Sequence, residues 1–525
     1  MTERASRPHR LGALLTTSVA AFALAACGGG GGGSDSGGGI ADAQQGCHFQ
    51  YDGSPPAEHS GPDPLLGDEW HLPVLDVPPA WNSTKGDGVR IAVIDDGIET
   101  LHEDLFPNVV AYRNYRRDVN PASLPLPCDP EDTHGTSVAG IAAARDGNGL
   151  GIAGVAPRAT LAAYNAIAKG AGTEADVADA LRRDEAVTGV YNNSWGAPDS
   201  QGLLRDPGAL FRSAIGDGLD RGRNGKGSIY VFAAGNGGCG GSASIDCVND
   251  DSNYDGYANT RGVIAACGVG ENDGKPSFAE PGANILVCGV SGGTRGITTT
   301  AVRNGYTNDF AGTSASTPMV SGVAAMLLQV QPALSWRDVR LILATTARKN
   351  DAASGWQTNR AGLAVHRFYG FGVVDAASAV SAAKSWSSVG GSESLRKCVF
   401  ARKPDVAIPD QGVVSDTVVV GATDCTVTAI ELVEIEFDAT HSYSGDLQIE
   451  LQRTDAPASS TILASSRICK SDGSTIPCGD YSHWIFTSVA NLNESAPGPW
   501  SLKVSDLLRG DEGRWNSWTL TIWGR

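Results

Sequence analysis

An α/β domain with helices on both faces of a mainly parallel sheet, followed by an all-β sandwich, is the architecture expected of this chain. From about residue 60 to 385, short β-branched apolar runs alternate with Ala-rich helical stretches. A strand–helix–strand order of that kind builds parallel sheets. From about residue 395 the texture changes to short alternating strands with turns between them, as sandwiches require. The 525 residues exceed one ordinary core, so two or more domains are expected.

Residues 1–26 are assigned to an export signal. Arg4, Arg7 and Arg10 form a positive start, and LGALLTTSVAAFALAA is an apolar run too short for a membrane span. The run closes on LAAC, which resembles the bacterial lipoprotein box. That resemblance implies cleavage before Cys27 and a diacylglyceryl group on its thiol; an ordinary signal with a chance cysteine is the alternative. Added acyl chains would give firm anchoring. The implied location is the bacterial cell envelope, lipid-anchored at a membrane surface or in the periplasm, or released outside the cell. Residues 27–59, with GGGGGGSDSGGG at 28–39, read as a flexible tether.

The segment 60–385 follows element by element. GVRIAVIDDG (88–97) is a buried strand entering a turn, and HGTSVAGIAAAR (134–145) carries small residues at helical spacing. ATLAAYNAI (159–167) and GVYNNSWG (189–196) are strands, with the amphipathic helix EADVADALRRDEAV (174–187) between them. GSIYVFAAGNGG (227–238) is a strand running into a Gly-rich turn, and SASTPMVSGVAAMLLQVQP (314–332) is an apolar helix stopped by proline. In such folds function gathers at the carboxyl ends of the strands. Residues 386–397 are the expected linker, and 398–525 the sandwich, with strands such as TVTAIELVEIEFD, DLQIELQRT, WSLKVSD and SWTLTIWG.

The formal net charge of −18 leaves no basic footprint, so a nucleic-acid partner is not expected. The acidity fits solubility, or acidic sites for calcium or for basic substrates. Of eleven cysteines, ten remain beside Cys27. An even number in an exported chain points to disulfides. Proximity suggests Cys239–Cys247 and Cys469–Cys478, with Cys267–Cys288, Cys398–Cys425 and Cys47–Cys128 following. No CxxC or His-rich spacing supports zinc.

Three signatures occur in order: AVIDDGIETLHEDL with Asp95 at a strand end, DTHGTSVAG with His134 at a helix start, and GTSASTPMVSG with Ser314 at another helix start. A hydroxyl needs a base to become a nucleophile, and a histidine serves when a buried carboxylate fixes its tautomer. FAAGNGG adds Asn236, whose amide can donate to a developing oxyanion beside the Ser314 N–H. Each piece alone is more often a cap or turn residue; together they form one constellation.

On these motifs residues 60–385 resemble the subtilisin-like serine peptidases. The order Asp, His, Ser is the known subtilisin order and is taken from that resemblance. It implies that Asp95, His134 and Ser314 form a triad with Asn236 in the oxyanion hole. Ser194, Trp195 and Gly196 of NNSWG are then the substrate-binding strand. DDG at 95–97, SWGAPD at 194–199 and NYDGYAN at 253–259 resemble the kexin/furin branch. HSYSGDLQIELQ and GPWSLKVSDLLRGDEGRWNSWTLTIWG resemble the jelly-roll-like P domain of that branch, a domain expected to pack on the catalytic one and stabilise it. The branch cuts after Arg or Lys, often at paired basic residues. By motif position Asp255 and Asp199 are the primary pocket acids, Asp96 and Glu131 face the preceding basic side chain, and Tyr257 lines a more distant subsite. A buried cation needs such a partner, although any one acid can be a solvated surface group.

Calcium is implied twice by the resemblance. Asp104 and Asn148, with Asp63 and carbonyls of Arg145, Leu150 and Ile152, match one site of hard oxygen ligands. Asp199, Asp250 and Glu280 match a second beneath the pocket, with Asp251 as an alternative to Asp250. Family members usually carry a propeptide of about 80–100 residues that assists folding; only a short Gly-rich stretch stands in that place here. The chain is thus expected to fold unaided or with a separate chaperone, and to act as a monomer on proteins or peptides with basic residues. The alternatives are a broad-specificity envelope peptidase and an inactive peptidase scaffold serving as an adhesin. A lipase or esterase would need GxSxG, which AGTSAS does not provide.

Overall fold

The computed structural model describes residues 47–51, 54–120, 122–239, 247–351, 355–455 and 459–525. The signal segment, Cys27 and residues 28–46 of the tether lie outside the described residues.

Seven parallel strands make the central sheet: β1 (Arg90–Asp95), β2 (Val109–Asn114), β3 (Thr160–Asn165), β4 (Thr188–Asn193), β5 (Ile229–Ala233), β6 (Val263–Val269) and β7 (Ile285–Val290). Every residue of β4 to β7 is buried. Strands without a solvent face are what helices on both sides of a parallel sheet produce, and they read as continuous apolar runs. The strand order is β2-β3-β1-β4-β5-β6-β7. From β1 the chain crosses to the edge strand β2, returns to β3 between them, then resumes on the other side of β1 with β4 and winds outward to β7. Such a reversal leaves a crevice at the carboxyl ends of the flanking strands.

Helix α1 (His134–Ala143) and helix α4 (Thr313–Val330) pack on each other and on the sheet, while α2 (Glu174–Ala180) packs with α3 (Ala209–Gly225). A β8–β9 hairpin (Ile297–Ala301, Gly305–Phe310) delivers the chain to α4. Small residues allow the α1–α4 contact: a Cβ on Gly322 of α4 would press to 2.7 Å from Val155 and 3.3 Å from the Ala142 carbonyl. Helix α5 (Trp336–Thr346) starts with a capping box between Ser335 and Asp338, and α6 (Ala376–Lys384) packs beside it.

Beyond residue 395 two antiparallel sheets face each other. One runs Arg396–Arg402, Gly513–Gly524, Ile430–His441, Tyr481–Ser488, and the other Val413–Val420, Gly498–Asp506, Leu447–Arg453, Thr461–Ala464. Trp500, Trp515, Trp518, Phe437 and Phe486 fill the space between them. The two parts share a tightly bonded boundary. Arg337 of α5 is fully buried and donates Nε to Glu431 Oε2 at 2.8 Å and Nη2 to Oε1 at 2.5 Å. Asn253 Nδ2 donates to the Thr487 carbonyl at 3.1 Å, and Thr487 N donates back to Asn253 Oδ1 at 2.9 Å. All five expected disulfides form: Cys47–Cys128, Cys239–Cys247, Cys267–Cys288, Cys398–Cys425 and Cys469–Cys478. Among the described residues no helix is long and apolar enough to cross a membrane.

Candidate active site

Asp95 ends β1 and is fully buried. Its Oδ1 lies 2.8 Å from His134 Nδ1 and also accepts the Asp96 N–H at 2.9 Å. His134 opens α1, and the α1–β1 packing sets its ring over the strand end. Burial opposes a charge on the imidazole, but the Asp95 carboxylate, with Asp96 behind it, outweighs this and holds His134 above histidine's usual range. Phe310, at the end of β9, packs on the ring with centroids 5.3 Å apart.

Ser314 is the second residue of α4, whose start is set by Gly312 at φ 81°. A Cβ there would stand 3.1 Å from Asn236 Oδ1, in a backbone conformation that side chains avoid. Thr313 N and Thr313 Oγ1 both donate to Asn236 Oδ1, at 2.8 and 3.0 Å. With its oxygen held, the Asn236 amide is fixed, and among the described residues nothing accepts from its Nδ2. Among the described residues no hydrogen bond joins Ser314 to His134. Ser314 Oγ donates to the Ser194 carbonyl at 3.0 Å, and Ser194 Oγ returns a bond to the Ser314 carbonyl at 3.0 Å. Thr313 joins the site beyond the residues that the motifs mark; its place directly before the serine in GTSAS is its signal in the sequence.

The β4 extension carries Ser194, Trp195 and Gly196 to the same crevice. The Trp195 side chain has partners of its own. Its Nε1 donates to the Ile94 carbonyl at 2.8 Å, and its ring meets Phe232 and Tyr257 edge-on. The indole therefore braces the end of β1, because an N–H on a half-buried ring must find an acceptor. Tyr257 packs likewise on Phe211 at 4.9 Å.

Acids collect beyond Gly196. A Cβ on Gly196 would collide with the Asp255 carboxylate, so glycine lets the strand pass. Asp255 accepts the Ala197 N–H at 2.9 Å and the Tyr257 N–H at 2.7 Å. Burial, with Asp199 nearby, pushes its carboxyl up to about 6. Asp199 is exposed and accepts the Asn236 N–H at 2.8 Å. Asp199, Asp250, Asp255 and Glu280 line one small cavity with Gly235. Glu280 is held well above the usual carboxylate range by burial and by Asp250 and Asp199, and Asp250 is pushed up to about 6 by burial. Asp251 lines the same cavity and is paired with Arg367 at 2.5 Å. Glu131 is exposed on the approach to His134. Asp96 turns inward, accepting the backbone N–H groups of His134 and Gly135.

A second acidic centre lies at the loop after α1. Asp63 accepts Gly147 N at 2.9 Å and Asn148 N at 3.2 Å. Asp104 is fully buried, accepts Ile152 N at 2.9 Å and Asn148 Nδ2 at 2.7 Å, and is pushed up to about 7 by burial. Asn148 thus presents its nitrogen to Asp104, while its Oδ1 accepts Leu150 N at 2.9 Å. Among the described residues, no donor reaches the carbonyl oxygens of Arg145, Leu150 or Ile152. No three His, Cys, Asp or Glu side chains among the described residues converge to hold a metal by themselves. A cation here would therefore rely on carbonyl and amide oxygens, as calcium does.

Comparison with known proteins places this geometry. The subtilase family model matches residues 86–372, and the proprotein convertase P-domain model matches residues 430–522. The chain is 33% identical over 491 residues to human proprotein convertase subtilisin/kexin type 6, covering 88% of this chain and 48% of that protein. It is 29% identical over 484 residues to kexin of Saccharomyces cerevisiae, covering 88% of this chain and 56% of kexin. The chain thus spans about half the length of these curated relatives. The crystal structure of the Aeromonas sobria serine protease in complex with its chaperone superposes with a TM-score of 0.76 at 23% identity, covering 93% of this chain and 98% of that one.

Proposed function

Because the chain belongs to the subtilase family, we propose that it is a serine endopeptidase that cleaves peptide bonds after Arg or Lys. The observation that carries this reading is the 2.8 Å bond between buried Asp95 and His134 beside a serine at a helix start. In this reading the Ser314 hydroxyl attacks the scissile carbonyl as His134 takes its proton. Asp95 holds the tautomer and stabilises the imidazolium. The Asn236 amide and the Ser314 N–H receive the oxyanion. A rotation about one side-chain bond frees Ser314 Oγ from the Ser194 carbonyl, and catalytic hydrogen bonds commonly tighten only with substrate present. That carbonyl is then available to an extended substrate backbone.

Specificity follows from charge. A guanidinium entering the crevice beyond Gly196 meets Asp255 and Asp199, with Glu131 on the rim for a second basic side chain. Calcium fits the first acidic centre by donor chemistry: Asp63, Asp104 and Asn148 with the carbonyls of Arg145, Leu150 and Ile152, which no donor among the described residues reaches. Asp199, Asp250 and Glu280 below the pocket share a cavity without converging on one point, so an ion there would need further oxygens beside them. The Asn148 amide would have to turn to offer oxygen to the first. A bound calcium ion would supply positive charge that lets these buried carboxylates ionise. Lipid anchoring through Cys27 at a bacterial envelope is proposed on the signal motif alone. A separate chaperone is proposed because a similar fold was crystallised with one.

The test is a panel of fluorogenic peptides that vary the residue before the cleaved bond, with and without a chelator, using wild type and Ser314→Ala. Turnover after Arg, lost in Ser314→Ala, is expected. Cleavage after Phe or Leu with none after Arg would overturn the specificity and leave the peptidase.

A further inference from the structure

By resemblance Asp96 should face a basic substrate side chain, yet both of its carboxylate oxygens are engaged inside the protein. Oδ2 accepts the His134 N–H at 3.2 Å and Oδ1 accepts the Gly135 N–H at 2.8 Å. These residues open α1, where backbone N–H groups lack intrahelical partners and the helix dipole is positive. Thr133, at the position that usually caps a helix, makes no side-chain cap. Asp96, from the end of β1, supplies what a local cap would have supplied. The helix comes close enough only because residue 135 is glycine: a Cβ there would strike the Gly97 carbonyl, stand 2.8 Å from Asp95 Cβ and 3.2 Å from Asp96 Oδ1. One dipeptide thus grips the same histidine twice, Asp95 by its ring and Asp96 by its backbone.

We infer that Asp96 is a positioning residue for His134: its carboxylate locks the first turn of α1 so that the imidazole stays in register with Asp95 and Ser314. This rests on the serine-peptidase reading of the site, and it gives Asp96 a role behind the base in addition to any contact that the remaining lone pairs of its oxygens make with a substrate side chain. Displacing a catalytic group by about 1 Å costs on the order of 10²-fold in rate, so a loosened first turn should show in kcat and not in substrate affinity.

The test uses the full chain, Asp96→Ala and Asp96→Asn, each checked for folding by circular dichroism. The first readout is the rate at which diisopropyl fluorophosphonate labels Ser314, because that reagent has no peptide side chain to meet a subsite. The second is kcat and KM on two peptides that differ only before the cleaved Arg, one with Ala and one with Lys. Asp96→Ala is expected to slow labelling and lower kcat roughly 10- to 100-fold on both peptides with KM little changed. Asp96→Asn keeps one acceptor oxygen and should lose less, about three- to tenfold, which answers the question even if the alanine variant does not fold. Unchanged labelling, with a KM loss confined to the Lys peptide, overturns the inference and returns Asp96 to the substrate pocket. A wild-type chain that the reagent does not label overturns the peptidase reading and this inference with it. A labelled wild type that cuts neither peptide overturns only the Arg specificity, and the labelling rates still decide the role of Asp96.

Discussion

Replacing Asp255 by Asn tests the specificity reading directly. Among the described residues Asp255 is met by the neutral N–H groups of Ala197 and Tyr257, and no cation relieves it. Its carboxyl is pushed from 3.8 up to about 6 by burial. At neutral pH, keeping it ionised therefore costs about 3 kcal/mol. An entering guanidinium can recover that amount, which corresponds to about 10²-fold in affinity. Asp255→Asn keeps an acceptor oxygen and removes the charge. The assay compares kcat/KM on a peptide with Arg at the cleaved position and on the same peptide with citrulline, its uncharged isostere. Expected is a loss of about 10²-fold for Arg and only a small change for citrulline. The pH dependence has a defined sign. Because the folded value is raised, the carboxylate is present above about 6 and is lost as pH falls through it, so the wild-type preference for Arg over citrulline should decline below that point. Equal losses on both peptides, or a preference flat across that range, would refute the assignment.

Two further outcomes concern stability. Arg337 and Glu431 are a buried pair across the boundary between the sheet domain and the sandwich. Breaking one partner of such a pair costs about 3–5 kcal/mol, whereas replacing both with apolar groups is often neutral. Glu431→Leu should therefore lower the thermal midpoint clearly, and Arg337→Met combined with Glu431→Leu should restore only part of it, because the Val389 and Gly391 carbonyls lose the guanidinium and Arg525 loses Glu431; a single variant that melts like wild type would remove the pair from the account. The buried acids Asp104, pushed up to about 7, and Glu280, held higher than usual, bind protons in the folded state that the unfolded chain releases near pH 4. Raised carboxyl values stabilise the fold at low pH and lose that contribution as pH rises through the folded value. In chelator the midpoint should fall as pH rises from about 4 to about 7, the interval between the unfolded and folded values of Asp104, and added calcium should flatten the slope. A chelated chain that melts highest at alkaline pH would contradict it.

The chain's own pattern carried most of the fold. Parallel strands buried on both faces show as unbroken apolar runs, which is why RIAVID and IYVFA were legible as strands. Sandwich strands alternate, and LQIELQR buries every second residue from Leu447 on. Asp95, His134 and Ser314 were legible because each closes or opens an element with a small-residue signature. Trp195 and Asp96 were not, because their partners are distant in sequence: the Ile94 carbonyl is 101 residues away and the His134 N–H is 38. Only a folded crevice reveals that an indole braces a strand, or that an acid holds a helix start. Thr313 escaped notice for the same reason, since Asn236 is 77 residues earlier.

Local chemistry alone fixed the periodicity, the paired cysteines and the identities of the groups able to attack, accept protons and carry charge. Those properties are written in short stretches, where spacing along the backbone equals spacing in the element. Orientation was decided only in three dimensions: which oxygen of Asp95 meets the imidazole, that Ser314 rests on the Ser194 carbonyl, and that Asp251 pairs with Arg367 while lining one cavity with Asp250 and Glu280. Hydrogen bonds and ion pairs act over a few ångströms between residues that the sheet brings together from far apart, so no reading confined to neighbours could have ranked them.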